Sequence, residues 1–412
     1  MTACLCRFCR TPLSRTFADL GMCPVANAFL SPAQLNKMEP FYPLHAYVCE
    51  ACLLVQLEDF ETPEHIFNDQ YAYFSSYSDS WLDHARRYTE LIAARLDLNA
   101  NSFVVEIASN DGYLLQYFVK KGIPVLGIEP SGNVASAAKA KGIDTRVEFL
   151  TANSAQELVS KRRKADLVIG NNVLAHVPAL NDFVEGLRIL LCENGVITME
   201  FPHLLCLIQE NQFDTIYHEH FSYFSFLAVT RIFATHKLRI FDVDRLSTHG
   251  GSLRIYATHE TSSRWGEQAS VAKLLAEEQH AGLNDISSYS TFSEQVNRTK
   301  LDLLRFLINL KQANKKVVGY GAPAKGNTLL NFCGIRSEFL DFTVDKSPQK
   351  QGMFLPGTHV PIVAPEKIFE AKPDYVLILP WNLRDEITSQ MAGITAWGGK
   401  FVVPIPQVRI LD

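Results

Sequence analysis

The chain has 412 residues, 47% hydrophobic and 20% charged, an ordinary globular balance. At this length about two or three domains are expected rather than one core. A net charge of −5 argues against nucleic acid as the main partner. No apolar run reaches membrane-spanning length and the N-terminus lacks a signal peptide's apolar stretch, so no membrane partner is expected.

Residues 1–78 are rich in Cys, Pro and aromatic residues and read as a small module. Six of the nine cysteines lie within the first 52 residues. Cys6-x-x-Cys9 and Cys49-x-x-Cys52 can each place two thiolates on one tight turn. Two such turns give the tetrahedral sulfur cage that Zn²⁺ prefers, a closed site and therefore structural. Two disulfides or plain buried thiols are the alternatives, and Cys4 competes with Cys6 as a ligand. Thiols kept for metal imply a reducing compartment, so the cytoplasm is expected. The run Tyr71-Ala72-Tyr73-Phe74-Ser75-Ser76-Tyr77-Ser78 either packs on the zinc lobe or supplies phenols to a cleft.

An amphipathic helix follows, with Trp81, Ala85, Tyr88, Leu91, Ile92 and Leu96 at helical spacing behind a Ser/Asp cap. Strand-turn-helix signals then repeat at 103–107, 124–129, 166–170 and 195–200, the pattern of a parallel sheet with helices on both faces. Residues 263–313 read as helices. The strand-turn-helix pattern restarts at 315–321, with further strands at 342–345 and 374–379, so a second α/β domain is expected. The resulting division is 1–78, 79–262 and 263–412.

The first α/β unit opens Glu106-Ile107-Ala108-Ser109-Asn110-Asp111-Gly112. An acidic strand end that turns through small residues into a helix is a nucleoside-binding turn, because the backbone is approachable and the helix N-terminus is electropositive. Glu129 ends the next strand, where a carboxylate can accept both ribose hydroxyls. An unremarkable βα turn is the bland reading. Ala108 and Asn110 stand where GxGxxG would place glycines, which suits a ligand without phosphate such as S-adenosylmethionine. Asn171-Asn172-Val173-Leu174-Ala175-His176 follows the fourth strand, and His176 is either a site residue or a structural hydrogen-bonder.

Tyr217-His218-Glu219-His220 is the densest titratable cluster, costly to bury without a purpose. A histidine tuned by a carboxylate suits a general base. A metal site or a structural polar cluster are the alternatives. His249-Gly250-Gly251-Ser252 is a polar turn of open role. Gly319-Tyr320-Gly321-Ala322-Pro323-Ala324-Lys325-Gly326 is a glycine-rich βα turn with a lysine, a candidate diphosphate cradle. Its glycine spacing disfavours the rival of an NAD(P)-dependent nucleotide-sugar oxidoreductase. The polar cluster disfavours a non-catalytic zinc-containing binding protein.

In this order, across essentially the whole chain, these motifs resemble the S-adenosylmethionine-dependent sugar C-methyltransferases of deoxysugar biosynthesis. The resemblance implies an α/β fold: an N-terminal zinc-binding module, a middle Rossmann-like methyltransferase domain and a C-terminal Rossmann-like domain closing a cleft. It implies S-adenosylmethionine and a structural Zn²⁺ held by Cys6, Cys9, Cys49 and Cys52. The implied substrate is a nucleotide-linked 4-keto-deoxysugar methylated at C-3. Tyr71, His176, Tyr217, Glu219 and His220 map onto active-site positions, with His220 the expected base and Glu219 assisting it. Glu106, Ala108, Asn110, Asp111, Glu129 and Asn171 are expected on the cofactor. Tyr73, Ser75, Gly321 and Lys325 are expected on the substrate. The oligomeric state is open, and a monomer is compatible with the reading.

Overall fold

The computed structural model describes residues 4–60, 62 and 74–411. Its N-terminal strands are β1 (Arg15–Cys23), β2 (Tyr42–Val48) and β3 (Val55–Leu57). Helix α1 (Asp79–Leu96) then begins on Ser78, whose hydroxyl accepts from the Trp81 amide. It buries Ala85, Tyr88, Ile92 and Leu96 as its spacing predicts, whereas Leu91 is 48% exposed, so the apolar stripe is narrower than expected.

The middle domain runs β4 (Val104–Ile107), α2 (Leu115–Lys120), β5 (Val125–Ile128), α3 (Gly132–Ala140), β6 (Thr145–Arg146), α4 (Ala152–Lys161), β7 (Ala165–Asn171), α5 (Leu180–Leu190) and β8 (Leu191–Pro202). It continues with α6 (Leu204–Gln209), β9 (Ser222–Tyr223), α7 (Phe226–Thr235), β10 (Leu238–Leu246) and β11 (Ser252–His259). Seven strands form one sheet in the order β10-β11-β8-β7-β4-β5-β6. The strands from β8 to β6 are parallel, and β11 and β10 add an antiparallel edge.

Helices α8 (Ala269–His280) and α9 (Phe292–Gln312) lead into β12 (Val317–Tyr320), α10 (Ala324–Cys333), β13 (Thr343–Val344), β14 (Ile362–Val363), α11 (Lys367–Ala371), β15 (Tyr375–Ile378), α12 (Arg384–Gln390), β16 (Lys400–Val403) and β17 (Arg409–Leu411). The second sheet has the order β14-β13-β12-β15-β16-β17 and is parallel except for β17. Its strands are continuous apolar runs because helices cover both faces.

The three regions interleave. Strand β9 leaves the middle domain and pairs with β3, Val55 opposite Tyr223, completing a four-stranded antiparallel sheet. One apolar core joins Phe17 and Val55 of the N-terminal module, Phe213 and Ile216, and the C-terminal sheet. Helix α8 packs Val271 and Leu274 into the middle core, while α9 stacks Phe292 on Phe17 at 4.5 Å. The loop 212–221 lies where all three regions meet.

Candidate active site

The zinc cage forms as expected. The four Sγ atoms of Cys6, Cys9, Cys49 and Cys52 lie within 4.8 Å of one another, with Cys6–Cys52 and Cys9–Cys49 both at 3.5 Å. Tetrahedral Zn–S bonds of about 2.3 Å need sulfurs at about this separation, so the set fits Zn²⁺. Gln56 Nε2 donates to Cys6 Sγ at 3.2 Å and braces it from outside. Cys4 stays out of the cluster, and Cys23 lies buried in the other core.

The turn after β4 takes the special backbone its residues allow. Ala108, Asn110 and Gly112 have φ of 55°, 50° and 76°. Glu129 locks it: one carboxylate oxygen accepts from the Asn110 amide and the other from the Ser131 amide, each at 2.9 Å. Burial raises the Glu129 carboxyl above its ordinary range. Glu106 is fully buried beside Tyr113, and burial, with Glu129 and Asp111 nearby, pushes its carboxyl well up. Asp111 Oδ1 and Asn171 Oδ1 are buried without a hydrogen-bond donor. Such orphaned acceptors at the ends of β4 and β7 fit a ligand rich in N–H and O–H groups, as S-adenosylmethionine is. Ser75, expected on the substrate, lies beside this turn: its amide donates to Asn110 Oδ1 at 2.9 Å. Ser76 follows suit through Lys141 Nζ, which also holds Asp111. Tyr71 and Tyr73 lie outside the described residues.

The Tyr217–His220 cluster splits into three directions. His218 turns into the N-terminal module, its Nε2 donating to the Pro43 carbonyl at 3.2 Å. Glu219 accepts from Asn27 Nδ2 at 3.0 Å through one oxygen, and its other oxygen is buried without a donor. His220 Nδ1 donates to the Thr215 carbonyl at 3.0 Å, since a carbonyl can only accept. That fixes the tautomer and leaves the lone pair on Nε2, where the Tyr217 hydroxyl donates at 2.8 Å. The expected Glu219 carboxylate is therefore not what orients His220; a backbone carbonyl and a phenol do that. Burial first, then His176, hold His220 well below the ordinary imidazole value, so it is neutral. His176 packs edge-on to His220 at 4.7 Å and donates through Nδ1 to the Glu219 carbonyl at 2.6 Å. Burial takes His176 down to about 4. Among the described residues the four cysteines alone form a metal-ligating cluster, so the metal reading of the Tyr217–His220 run falls.

Several contributors carry no motif. Trp381 Nε1 donates to buried Asp214 at 2.7 Å, and Thr328 of α10 donates to the Ile216 carbonyl at 3.0 Å. The C-terminal domain thus grips the loop that carries His220. The 248–251 turn hangs on buried Glu200, which accepts from Thr248 at 2.9 Å, Arg254 at 2.8 Å and His84 at 2.9 Å. Burial would raise the Glu200 carboxyl, but these partners hold it below its ordinary range. His249 sits at φ 54° and accepts at Nε2 from the Asn172 amide at 3.1 Å. Gly250 is required because a Cβ there would meet Trp381 at 2.6 Å.

The glycine-rich turn after β12, read as a candidate diphosphate cradle, has one amide occupied. Its Ala322 amide already donates to the Asp345 carboxylate at 2.7 Å, and that negative charge would repel a diphosphate. Gly321 is needed for packing, since a Cβ there would meet Pro380 at 2.5 Å. Lys325, one turn further on, points instead toward the loop of His220. Its Nζ donates to Asn382 at 2.9 Å and lies 4.4 Å over the Trp381 ring.

Comparison with known proteins identifies the family. Residues 247–406 match the C-methyltransferase C-terminal domain family, residues 80–241 a methyltransferase domain family, and residues 6–67 a zinc binding domain family. The chain is 34% identical over 407 residues to C-methyltransferase NovU of Streptomyces niveus, covering 99% of this chain and 96% of that protein. Among solved structures, an S-adenosylmethionine-dependent methyltransferase from Anabaena variabilis aligns with a TM-score of 0.36 and 17% identity, over 43% of this chain and 86% of the other. Magnesium protoporphyrin IX methyltransferase from Synechocystis, with bound S-adenosylmethionine, gives 0.33 and 19%, over 44% and 82%.

Proposed function

We propose that this chain, which belongs to the family of S-adenosylmethionine-dependent C-methyltransferases, methylates C-3 of a nucleotide-linked (dTDP or GDP) 4-keto-6-deoxy sugar through an enolate. The cofactor, held by Glu106, Ala108, Asn110, Asp111, Glu129 and Asn171, supplies an electrophilic methyl group to the C-3 carbanion. A C-3 proton beside a C-4 ketone is acidic because its electron pair spreads onto the ketone oxygen. His220 removes that proton at Nε2. Tyr217 hands its bond with Nε2 over to the entering C–H and donates to the sugar instead. His176, Tyr71 and the free oxygen of Glu219 hold the sugar's polar groups. Such acid-base placement contributes on the order of 10²–10⁴ in rate.

The observation that carries this reading is the tautomer of His220. A buried, neutral imidazole with its proton pinned on a backbone carbonyl leaves one basic nitrogen facing the cleft. Zn²⁺ holds the N-terminal module, whose Asn27 and Arg7 reach Glu219 and the ring of Phe221. Metal-binding thiols need a reducing compartment, which supports a cytoplasmic location. The test is mass spectrometry of products from a panel of dTDP- and GDP-linked 4-ketosugars incubated with S-adenosylmethionine. One added methyl on C-3 of a 4-ketosugar is expected. Methylation confined to oxygen, or to sugars lacking the ketone, overturns the reading.

A further inference from the structure

We propose that Lys325 is a catalytic residue, the cation that holds the negative charge developing on the C-4 oxygen as the C-3 proton leaves. This rests on the reading of the reaction given above.

The geometry singles out this ammonium. It bonds the neutral amide of Asn382 and lies over the face of Trp381, and among the described residues it makes no ion pair. Asp214 is the carboxylate whose charge reaches it, but no Asp214 oxygen lies within ion-pair distance, and its Oδ2 accepts from Trp381 Nε1. A partly buried cation without a direct ion pair is costly, and perturbed groups of this kind cluster at functional sites. The other cations bordering the cleft are already spent. Arg254 is paired with Glu200 at 2.8 Å, Arg7 with Asp59 at 2.8 Å, and Lys141 with Asp111 at 3.1 Å.

Lys325 is also aimed correctly. It lies three residues before Thr328 on α10, so both side chains leave the same helix face. Thr328 bonds Ile216 in the very loop that presents Tyr217 and His220. His220 and His249 both feel the charge, which adds to burial in holding them neutral. Burial lowers the value of Lys325 itself, and Asp214 pulls it back up.

The step balances. The C-3–H electron pair moves to form the C-3–C-4 double bond, and the carbonyl π pair moves to oxygen beside the ammonium. The proton rests on His220 Nε2. When the C-3 pair takes the methyl, the carbon–sulfur bond breaks with its pair staying on the departing S-adenosylhomocysteine, the ketone re-forms, the charge on oxygen vanishes, and the proton leaves to solvent. The anion beside Lys325 exists only between these two events, so the interaction accelerates chemistry without tightening substrate binding.

The experiment uses the full enzyme with S-adenosylhomocysteine in D₂O and follows deuterium entry at C-3 of a 4-ketosugar, alongside steady-state turnover. Lys325→Met is expected to lose both exchange and kcat by about 10²-fold or more. KM for the sugar and Kd for S-adenosylmethionine should change by less than about threefold. Lys325→Arg should recover at least about tenfold of the lost exchange. Thermal melting of Lys325→Met should stay close to wild type, because no direct ion pair is lost and the apolar stem on Trp381 is kept. Should that variant misfold instead, Lys325→Gln with the same readouts decides. A raised KM with wild-type kcat and exchange makes Lys325 a substrate anchor and overturns the proposal. If wild type neither exchanges nor methylates any 4-ketosugar, the reaction reading fails and this proposal falls with it.

Discussion

Trp381→Phe isolates the contact by which the C-terminal domain grips the loop of His220. Asp214 is fully buried and accepts the Trp381 indole N–H at 2.7 Å. Burial lifts its carboxyl from 3.8 to about 6, against the pull of Lys325 and Trp381. Keeping it ionised above pH 6 therefore costs the fold about 3 kcal/mol relative to the unfolded chain. The sign follows from proton counts. Between the unfolded and folded values the native state binds more protons, so this group's stabilisation is full below pH 3.8 and is lost as pH rises through 6. Phenylalanine keeps the ring over Lys325 but removes the N–H. Above pH 6 an ionised, buried acceptor loses its donor, at about 1.5–3 kcal/mol; near pH 4.5 the carboxyl is neutral and the same loss is about 0.5–1.5 kcal/mol. The smaller ring adds a packing loss that is the same at both pH values. Urea unfolding of variant and wild type at pH 4.5 and 7.5 should show an extra penalty of about 1–2 kcal/mol at the higher pH. An equal penalty at both refutes an ionised Asp214 held by Trp381.

The remaining expectations concern the cage and the loop. Protein purified without added zinc should carry one tightly bound Zn²⁺ per chain, and Cys49→Ser should lose both metal and activity; a metal-free preparation that stays folded and active would count against the cage. His220→Asn should keep both ligands and lose about 10²-fold or more in turnover. Because His220 is held well below 6.5, wild-type kcat/KM should stay level from pH 8 to about 6, and a fall centred on the ordinary imidazole value would sink that assignment. Glu219→Gln should raise the sugar KM about tenfold while deuterium exchange at C-3 persists, since its carboxylate bonds Asn27 and not His220. Loss of exchange in that variant would restore Glu219 to the base itself.

Local chemistry made much of this legible. The CxxC pairs and the 106–112 turn are short segments whose backbone and side chains act together, so spacing alone reports them. The same holds for the buried stripe of α1, apart from Leu91. The Tyr217–His220 run announced a site but not its internal directions. Neighbouring residues on an irregular loop obey no fixed period, and only tertiary contacts with Pro43, Asn27 and Thr215 sort them. The Gly319 turn did not disclose its partner Asp345, which lies 23 residues from Ala322. Trp381 and Asp214 are 167 residues apart, and nothing in either neighbourhood signals the other.

On the proposed reaction, the placement of the loop explains why three regions are needed. A base works only if its basic nitrogen is held at the reacting carbon, and a loop between α6 and β9 has no periodic hydrogen bonding to hold itself. Each region supplies part of that restraint. The N-terminal module pairs β3 with β9 and passes Asn27 to Glu219. The middle domain accepts the Phe221 amide at Ala175, 2.7 Å, beside His176. The C-terminal domain pins Asp214 and Ile216. Loosening any one leaves the other two in place, so single losses should misplace His220 rather than unfold the chain. A shift of about 1 Å at a reacting group can cost 10²-fold in rate. Damage to the zinc cage should accordingly be felt first in turnover, even though no sulfur faces the chemistry.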